Sequence, residues 1–212
     1  MFKGIIFDID GTLTSTNQLI FDSFNHIAKK YLHKTFSDQE IIALFGPPEE
    51  VILRQWCGDN YDEASKDYFD YYRSHHEIAK LYPGINELLE ILKDRDVHLS
   101  VFTGKGRMSS IITLEELGVI DYFDMIVTGD EVANHKPAPD GIISIIEKYN
   151  FKKDEVLMIG DSVGDFKASR DAGVKIASAL WDSYAADKVK QLGSDYYFNT
   201  VDELKEFLIQ NI

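Results

Sequence analysis

Cysteine is almost missing from this 212-residue chain: the single one, Cys57, can build neither a disulfide framework nor a cysteine-rich zinc site. Long apolar runs are missing too. None approaches the roughly 20 residues that a membrane-spanning helix needs, so no membrane partner is expected. The N-terminus reaches Asp8 too soon to hold a signal peptide, and a cytoplasmic location is the expectation. Basic residues are scarce. Lys and Arg number 22 against 36 Asp and Glu, and the resulting charge of −14 argues against nucleic acid as a partner. An anionic ligand would have to be drawn in by local cations or a metal, not by the field of the whole protein. There is no internal repeat and no low-complexity stretch. What remains is 44% hydrophobic and 27% charged, the composition of a soluble globular protein long enough for one or two domains.

The chain begins with an apolar run, Phe2 to Phe7, that reads as a buried parallel strand. Helical spacing follows in Leu19, Ile20, Phe24, Ile27, Ala28 and Tyr31, with Ser15 or Thr16 as the N-cap. Ser37 and Glu40 form a capping box for a second, short helix ending at Gly46. A third helix runs from Glu49 to Trp56 and a fourth from Asp62 to Lys80. Tyr82-Pro83-Gly84 marks a boundary. Beyond it helices alternate with strands at Val97–Phe102, Asp124–Val127, Val156–Ile159, Lys175–Leu180 and Tyr196–Phe198. The helices between them are expected at Ile85–Lys93, Arg107–Leu117, Ile142–Tyr149, Phe166–Ala172 and Ala185–Leu192, with a last one from Asp202. Such alternation predicts an α/β fold, a doubly wound parallel sheet with right-handed crossovers. The segment without strand signals predicts an inserted α-helical cap domain at 15–82, over a core formed by 1–14 and 83–212.

Polar residues concentrate at the predicted strand ends, where ligands bind in such sheets. Asp8 and Asp10 follow the first strand, and Gly11 allows a sharp turn beside them. Two acids so close raise one another's pKa unless a cation intervenes, and magnesium, a hard ion that takes oxygen ligands, is the natural one. Thr103 and the Gly104 N–H form a small anion cradle after a second strand. Lys105 and Arg107 could add charge there or be solvated. Pro137 and Pro139 fix the backbone around Lys136, and a rigidly held ammonium suits a site that must neutralise Asp8 and a phosphate oxygen. Asp161 and Asp165, in Gly-Asp-Ser-Val-Gly-Asp, could close an octahedral oxygen site with Asp8. Other candidates read as packing: Cys57, the Tyr68–Tyr72 cluster, and histidines 26, 33 and 98 at the surface or half-buried.

In order and spacing these four stretches resemble the motifs of the haloacid dehalogenase-like hydrolases, a superfamily made up mostly of phosphatases, and the match covers the whole core. The resemblance implies a Rossmann-like core with a helical cap inserted in the first crossover. It implies Asp8 as a nucleophile that forms an aspartyl-phosphate, and Asp10 as general acid and then base. It implies Thr103, Gly104 and Lys136 on the phosphoryl oxygens, and Mg2+ held by Asp8, the Asp10 backbone carbonyl and Asp161. Asp165 would support the metal's waters or the lysine. The substrate would be a small phosphorylated metabolite, and the protein a monomer or homodimer. Gly46-Pro47-Pro48 is similar to the cap loop of phosphoglycolate phosphatases and related pyrophosphatases. Glu49-Glu50 stands where β-phosphoglucomutases tend to have an arginine, and Ser15 where relatives usually have an aspartate. A different class, a phospho-acceptor or binding protein that does not turn over, would lack the Asp-Xaa-Asp-Gly-Thr order and the helical insertion.

Overall fold

The computed structural model describes residues 1–182 and 186–212. In chain order the strands are β1 (Gly4–Phe7), the two-residue β2 (Thr14–Ser15) and β3 (Lys80–Leu81), β4 (His98–Phe102) and β5 (Met125–Val127), then β6 (Val156–Gly160), β7 (Lys175–Ala179) and β8 (Tyr196–Phe198). Six of them form one sheet in the order β5-β4-β1-β6-β7-β8, every neighbouring pair parallel. The order reverses direction at β1, which is where a doubly wound sheet opens a crevice for a ligand.

Alternation of side chains across the pleat builds the two faces. Ile5, Phe7, Leu99, Val101, Leu157 and Ile159 point to one side, against α5 (Ile85–Asp94) and α10 (Val201–Asn211). Ile6, Phe102, Met158 and Ile176 point to the other, against α7 (Asp140–Tyr149) and α8 (Val163–Ala172). Ile5, Ile6 and Phe7 are completely buried, each worth about 2 kcal/mol in apolar surface removed from water. β1 is thus rigid, and the residue after it inherits a fixed position.

Between β2 and β3 the chain is helical: α1 (Asn17–Ile27) runs on into a π-helical turn over Ala28–Leu32, followed by α2 (Asp38–Ile42), α3 (Glu49–Cys57) and α4 (Tyr61–Ser74). Leu19, Phe24, Ile27, Leu53, Cys57, Tyr68 and Tyr72 give this insertion its own core, joined from the sheet unit by Ile112 of α6 (Arg107–Glu116). Cys57, Tyr68 and Tyr72 are therefore packing residues, as expected. Among the described residues no helix is long and apolar enough to cross a membrane.

Several expected boundaries move. The first strand starts at Gly4, because the Phe2 N–H leaves the sheet to donate to Asn211 O at 2.7 Å. The fourth helix stops at Ser74 rather than Lys80. A 3-10 turn (His76–Ile78) follows, then β3, whose antiparallel pairing of Leu81 with Thr14 and Lys80 with Ser15 ties together the two chain crossings into the insertion. The second helix ends at Ile42, short of Gly46, although its capping box between Ser37 and Glu40 is formed. Thr16 occupies the N-cap of α1 without capping it. Of the helix expected from Ala185, that residue lies outside the described ones, and α9 covers Ala186–Lys190.

Candidate active site

Asp8 stands one residue beyond β1 and stays in register, its N–H donating to Ile159 O of β6 at 2.9 Å. Thr103 is one residue beyond β4 and continues that strand too, its N–H donating to Val127 O at 3.1 Å. Asp161 follows β6, and Asp165 lies in the first turn of α8. Adjacent parallel strands thus deliver the predicted residues to one end of the sheet on either side of the order reversal.

Three carboxylates meet there. Asp8, Asp161 and Asp165 each offer an oxygen within 4.8 Å of the other two. Lys136 reaches in from the long β5–α7 loop, where the Lys136–Pro137 peptide is cis. Its ammonium donates to Asp8 Oδ1 at 2.8 Å and to Asp165 Oδ1. Asp165 is held on its other oxygen by a capping box, accepting from the Ser162 N–H at 2.9 Å and the Ser162 hydroxyl at 2.6 Å. That Ser-Xaa-Xaa-Asp spacing was a readable helix-start signal, and it makes Asp165 a rigid anchor for the lysine.

One ammonium among three carboxylates, two of them buried and one half-buried, leaves the cluster negative. Burial first, and then Asp165 and Asp10, push the Asp8 carboxyl up to about 7 despite Lys136. Burial and the neighbouring Asp8 and Asp165 push Asp161 well above the ordinary carboxylate range. Burial opposes the Lys136 charge, but Asp165 and Asp8 outweigh it and keep the ammonium protonated. A surplus of closely spaced, hard oxygen donors, with the Asp8 and Asp161 carboxyls raised, fits a divalent cation of the magnesium type.

Asp10 is set apart. Its carboxylate turns away from the cluster, accepting from the Thr16 hydroxyl and facing Lys105 Nζ at 3.4 Å from each oxygen. The sequence left Lys105 and Arg107 open, and the structure separates them. Lys105 is buried, whereas Arg107 pairs with Glu131 at the surface. Burial works against the Lys105 charge, but Asp10, Tyr72 and Glu49 overcome it and hold the ammonium charged. Glu49, at the start of α3, is the residue the sequence reading missed. It descends from the insertion to accept from the Gly106 N–H at 2.8 Å and the Ser109 hydroxyl at 2.6 Å. Nothing local signals this, since its partners lie more than 50 residues away. The Gly46-Pro47-Pro48 loop also comes down on the site. A Cβ on Gly104 would meet Gly46 O at 3.2 Å, and one on Gly129 would meet Pro48 Cγ at 3.1 Å.

Comparison with known proteins agrees with this geometry. The sequence model of the family described as haloacid dehalogenase-like hydrolase matches residues 5–179. PpaX of Caldanaerobacter subterraneus subsp. tengcongensis, provisionally named a pyrophosphatase, is 30% identical over 96% of this chain and 93% of its own length. The pyrophosphatase PpaX of Halalkalibacterium halodurans is 29% identical over 96% and 95%. Among solved structures, a protein of Haemophilus somnus 129pt described as a predicted phosphoglycolate phosphatase superposes with a TM-score of 0.85 at 25% identity, covering 97% of this chain and 98% of that one.

Proposed function

The chain belongs to the haloacid dehalogenase-like hydrolases, and from that we propose that it is a magnesium-dependent phosphatase acting on a small phosphorylated metabolite of the phosphoglycolate kind. The observation that carries this reading is the sorting of its carboxylates. Asp8 sits with Asp161, Asp165 and Lys136, while Asp10 is held apart by Thr16 and Lys105. A nucleophile and a proton donor need such different surroundings.

In the proposed reaction Asp8 attacks phosphorus in line, forming an acyl phosphate as the bond to the leaving oxygen breaks. Asp10 gives its proton to that oxygen, then takes one from the water that hydrolyses the acyl phosphate. Thr103, the Gly104 N–H and Lys136 hold the phosphoryl oxygens, with Lys136 fixed by Asp165. Asp8, the Asp10 carbonyl and Asp161 would hold Mg2+, which would supply positive charge against the charge on the transferring group. Residues 15–82 act as a cap that covers the site and excludes water, over a core of 1–14 and 83–212.

Pyrophosphate is the second reading, favoured by the name that two relatives at 29–30% identity carry. Phosphate release from phosphoglycolate, pyrophosphate, sugar phosphates and nucleotides, with Mg2+ and with EDTA, separates the two and tests both. One strongly preferred, magnesium-dependent substrate is expected. Asp8→Asn should lower turnover at least about 1,000-fold while the protein stays folded; a fully active Asp8→Asn enzyme would refute the nucleophile.

A further inference from the structure

We propose that Lys105 is a closure-dependent positioning residue, tying Glu49 of the insertion to Asp10 so that the acid is set in place only when the site is covered. The inference rests on the phosphatase reading above, in which Asp10 donates the leaving-group proton.

Each of the two buried lysines bridges two carboxylates, and the difference between them is where the partners live. Asp8 and Asp165, the partners of Lys136, both belong to the sheet unit, so that arrangement stands whatever the insertion does. Lys105 has one partner on each unit: Asp10 at 3.4 Å and Glu49 Oε1 at 3.6 Å. The insertion also lays the Tyr72 ring 5.0 Å from the ammonium, and the Tyr72 hydroxyl is fixed against Thr113 of α6 at 2.8 Å. The Lys105 side chain is only 3% exposed.

The root of Lys105 does not depend on closure. Its N–H donates to Thr103 Oγ1 at 3.2 Å and its carbonyl accepts from the Gly129 N–H at 3.0 Å, both within the sheet unit. The side chain does depend on it. Lifting the insertion removes Glu49 and the aromatic face together, and water then solvates the ammonium. A solvated lysine on a flexible stem gains little from staying between the two Asp10 oxygens. Asp10 would then lose Lys105 as an anchor. Seating the insertion restores both constraints at the moment water leaves, so the proton donor is aligned only in a covered site.

The test reads leaving-group dependence, which a merely structural role would not move. Phosphoglycolate needs a proton on its departing alkoxide, whereas 4-nitrophenyl phosphate releases a stable phenolate without one. Lys105→Met should lower kcat/KM for phosphoglycolate at least about ten-fold more than for 4-nitrophenyl phosphate. Glu49→Gln keeps an acceptor for the Gly106 N–H and drops the charge, while its amide N–H can donate to Ser109 Oγ, whose hydroxyl still has the Gly106 carbonyl at 3.2 Å. It should give a smaller loss with the same selectivity, and none beyond that of Lys105→Met in the double variant. Equal losses on both substrates, no loss, or additive losses overturn the proposal. If Lys105→Met does not fold, the selectivity of Glu49→Gln decides alone. Asp8→Asn, run alongside, keeps the two levels apart. Turnover surviving in it sinks the phosphatase reading itself, whereas an inactive Asp8→Asn with uniform losses at Lys105 sinks only the coupling.

Discussion

At Gly11 the backbone φ is +82°, and a Cβ there would lie 2.5 Å from Asp161 Oδ2. The left-handed conformation alone would cost an alanine about 1 kcal/mol. The larger effect is local, because the only way to make room is to push the Asp161 carboxylate out of the acidic cluster. Gly11→Ala should therefore raise the Mg2+ concentration needed for half-maximal activity by about ten-fold or more, while urea unfolding shows a loss of only about 1–2 kcal/mol. Unchanged magnesium dependence would show that Asp161 is not where the metal binds. Gly11, Asp8 and Asp161 were legible in the sequence because each sits in a short contiguous string at a strand end, where backbone continuity dictates direction, and Lys136, out in the β5–α7 loop, was legible from the prolines that follow it. Glu49 and the burial of Lys105 were not. Whether a charged side chain is buried depends on what tertiary structure sets opposite it, and here the partners, Glu49 and Lys105 with Gly106 and Ser109, lie more than 50 residues apart in the chain.

Between elements, the N-termini of α3 and α6 face each other with Glu49 and Glu50 at the seam. Glu49 is satisfied there. Glu50 is not: its Oε2 is buried without a hydrogen-bond partner, and a Cβ on Gly106 would lie 2.6 Å from it. Burial, and then the neighbouring Glu49, push the Glu50 carboxyl up to about 7, with its own backbone N–H and, more weakly, Arg54 only partly offsetting them. In the unfolded chain it titrates near 4.5, so the folded state binds the extra proton and loses stability as pH rises from about 4.5 through about 7. Glu50→Gln, fixed in the neutral form, should raise thermal stability at pH 8 and change little at pH 5. The gain is about 1 kcal/mol, the shift being discounted because the group is partly solvated. A variant equally stabilised at both pH values would contradict this account. The same scale shows what sequence periodicity can and cannot give. The central strands β1, β4 and β6 and the helices α5 and α7 were legible because each buries a continuous or periodic apolar pattern, while the three-residue β5 and β8 were legible from their place in the alternation. The β2–β3 pair was not, since two-residue strands carry no alternation and exist only because Thr14 and Leu81 meet. The fourth helix was read too long for the same reason: helical spacing continued past Ser74, but the pairing of Lys80 with Ser15 claimed the backbone.

For the molecule as a whole, the acidic cluster links folding to pH, and the proposed metal would join the same equilibrium. The Asp8 carboxyl titrates near 3.8 when unfolded and at about 7 when folded, and Asp161 is raised in the same direction. Between those limits the folded, metal-free protein holds more protons than the unfolded chain, so its stability must fall as pH rises. For Asp8 alone the full shift corresponds to about 4 kcal/mol, an upper figure because Lys136 shares the charge among the cluster. A cation that binds only the folded state displaces those protons and restores the loss. Thermal unfolding in EDTA should therefore show a melting temperature that drops between pH 5.5 and pH 8. Added Mg2+ should raise it more at pH 8 than at pH 5.5, where protons compete for the same oxygens. Asp8→Asn isolates the cause. Without the titrating carboxyl, the EDTA melting curve should lose much of its pH slope, leaving the part that Asp161 and Glu50 contribute. If the wild-type protein in EDTA is equally stable at both pH values, the cluster is already neutralised by its own lysine. The electrostatic case for a metal between Asp8 and Asp161 then fails, whatever the fold suggests.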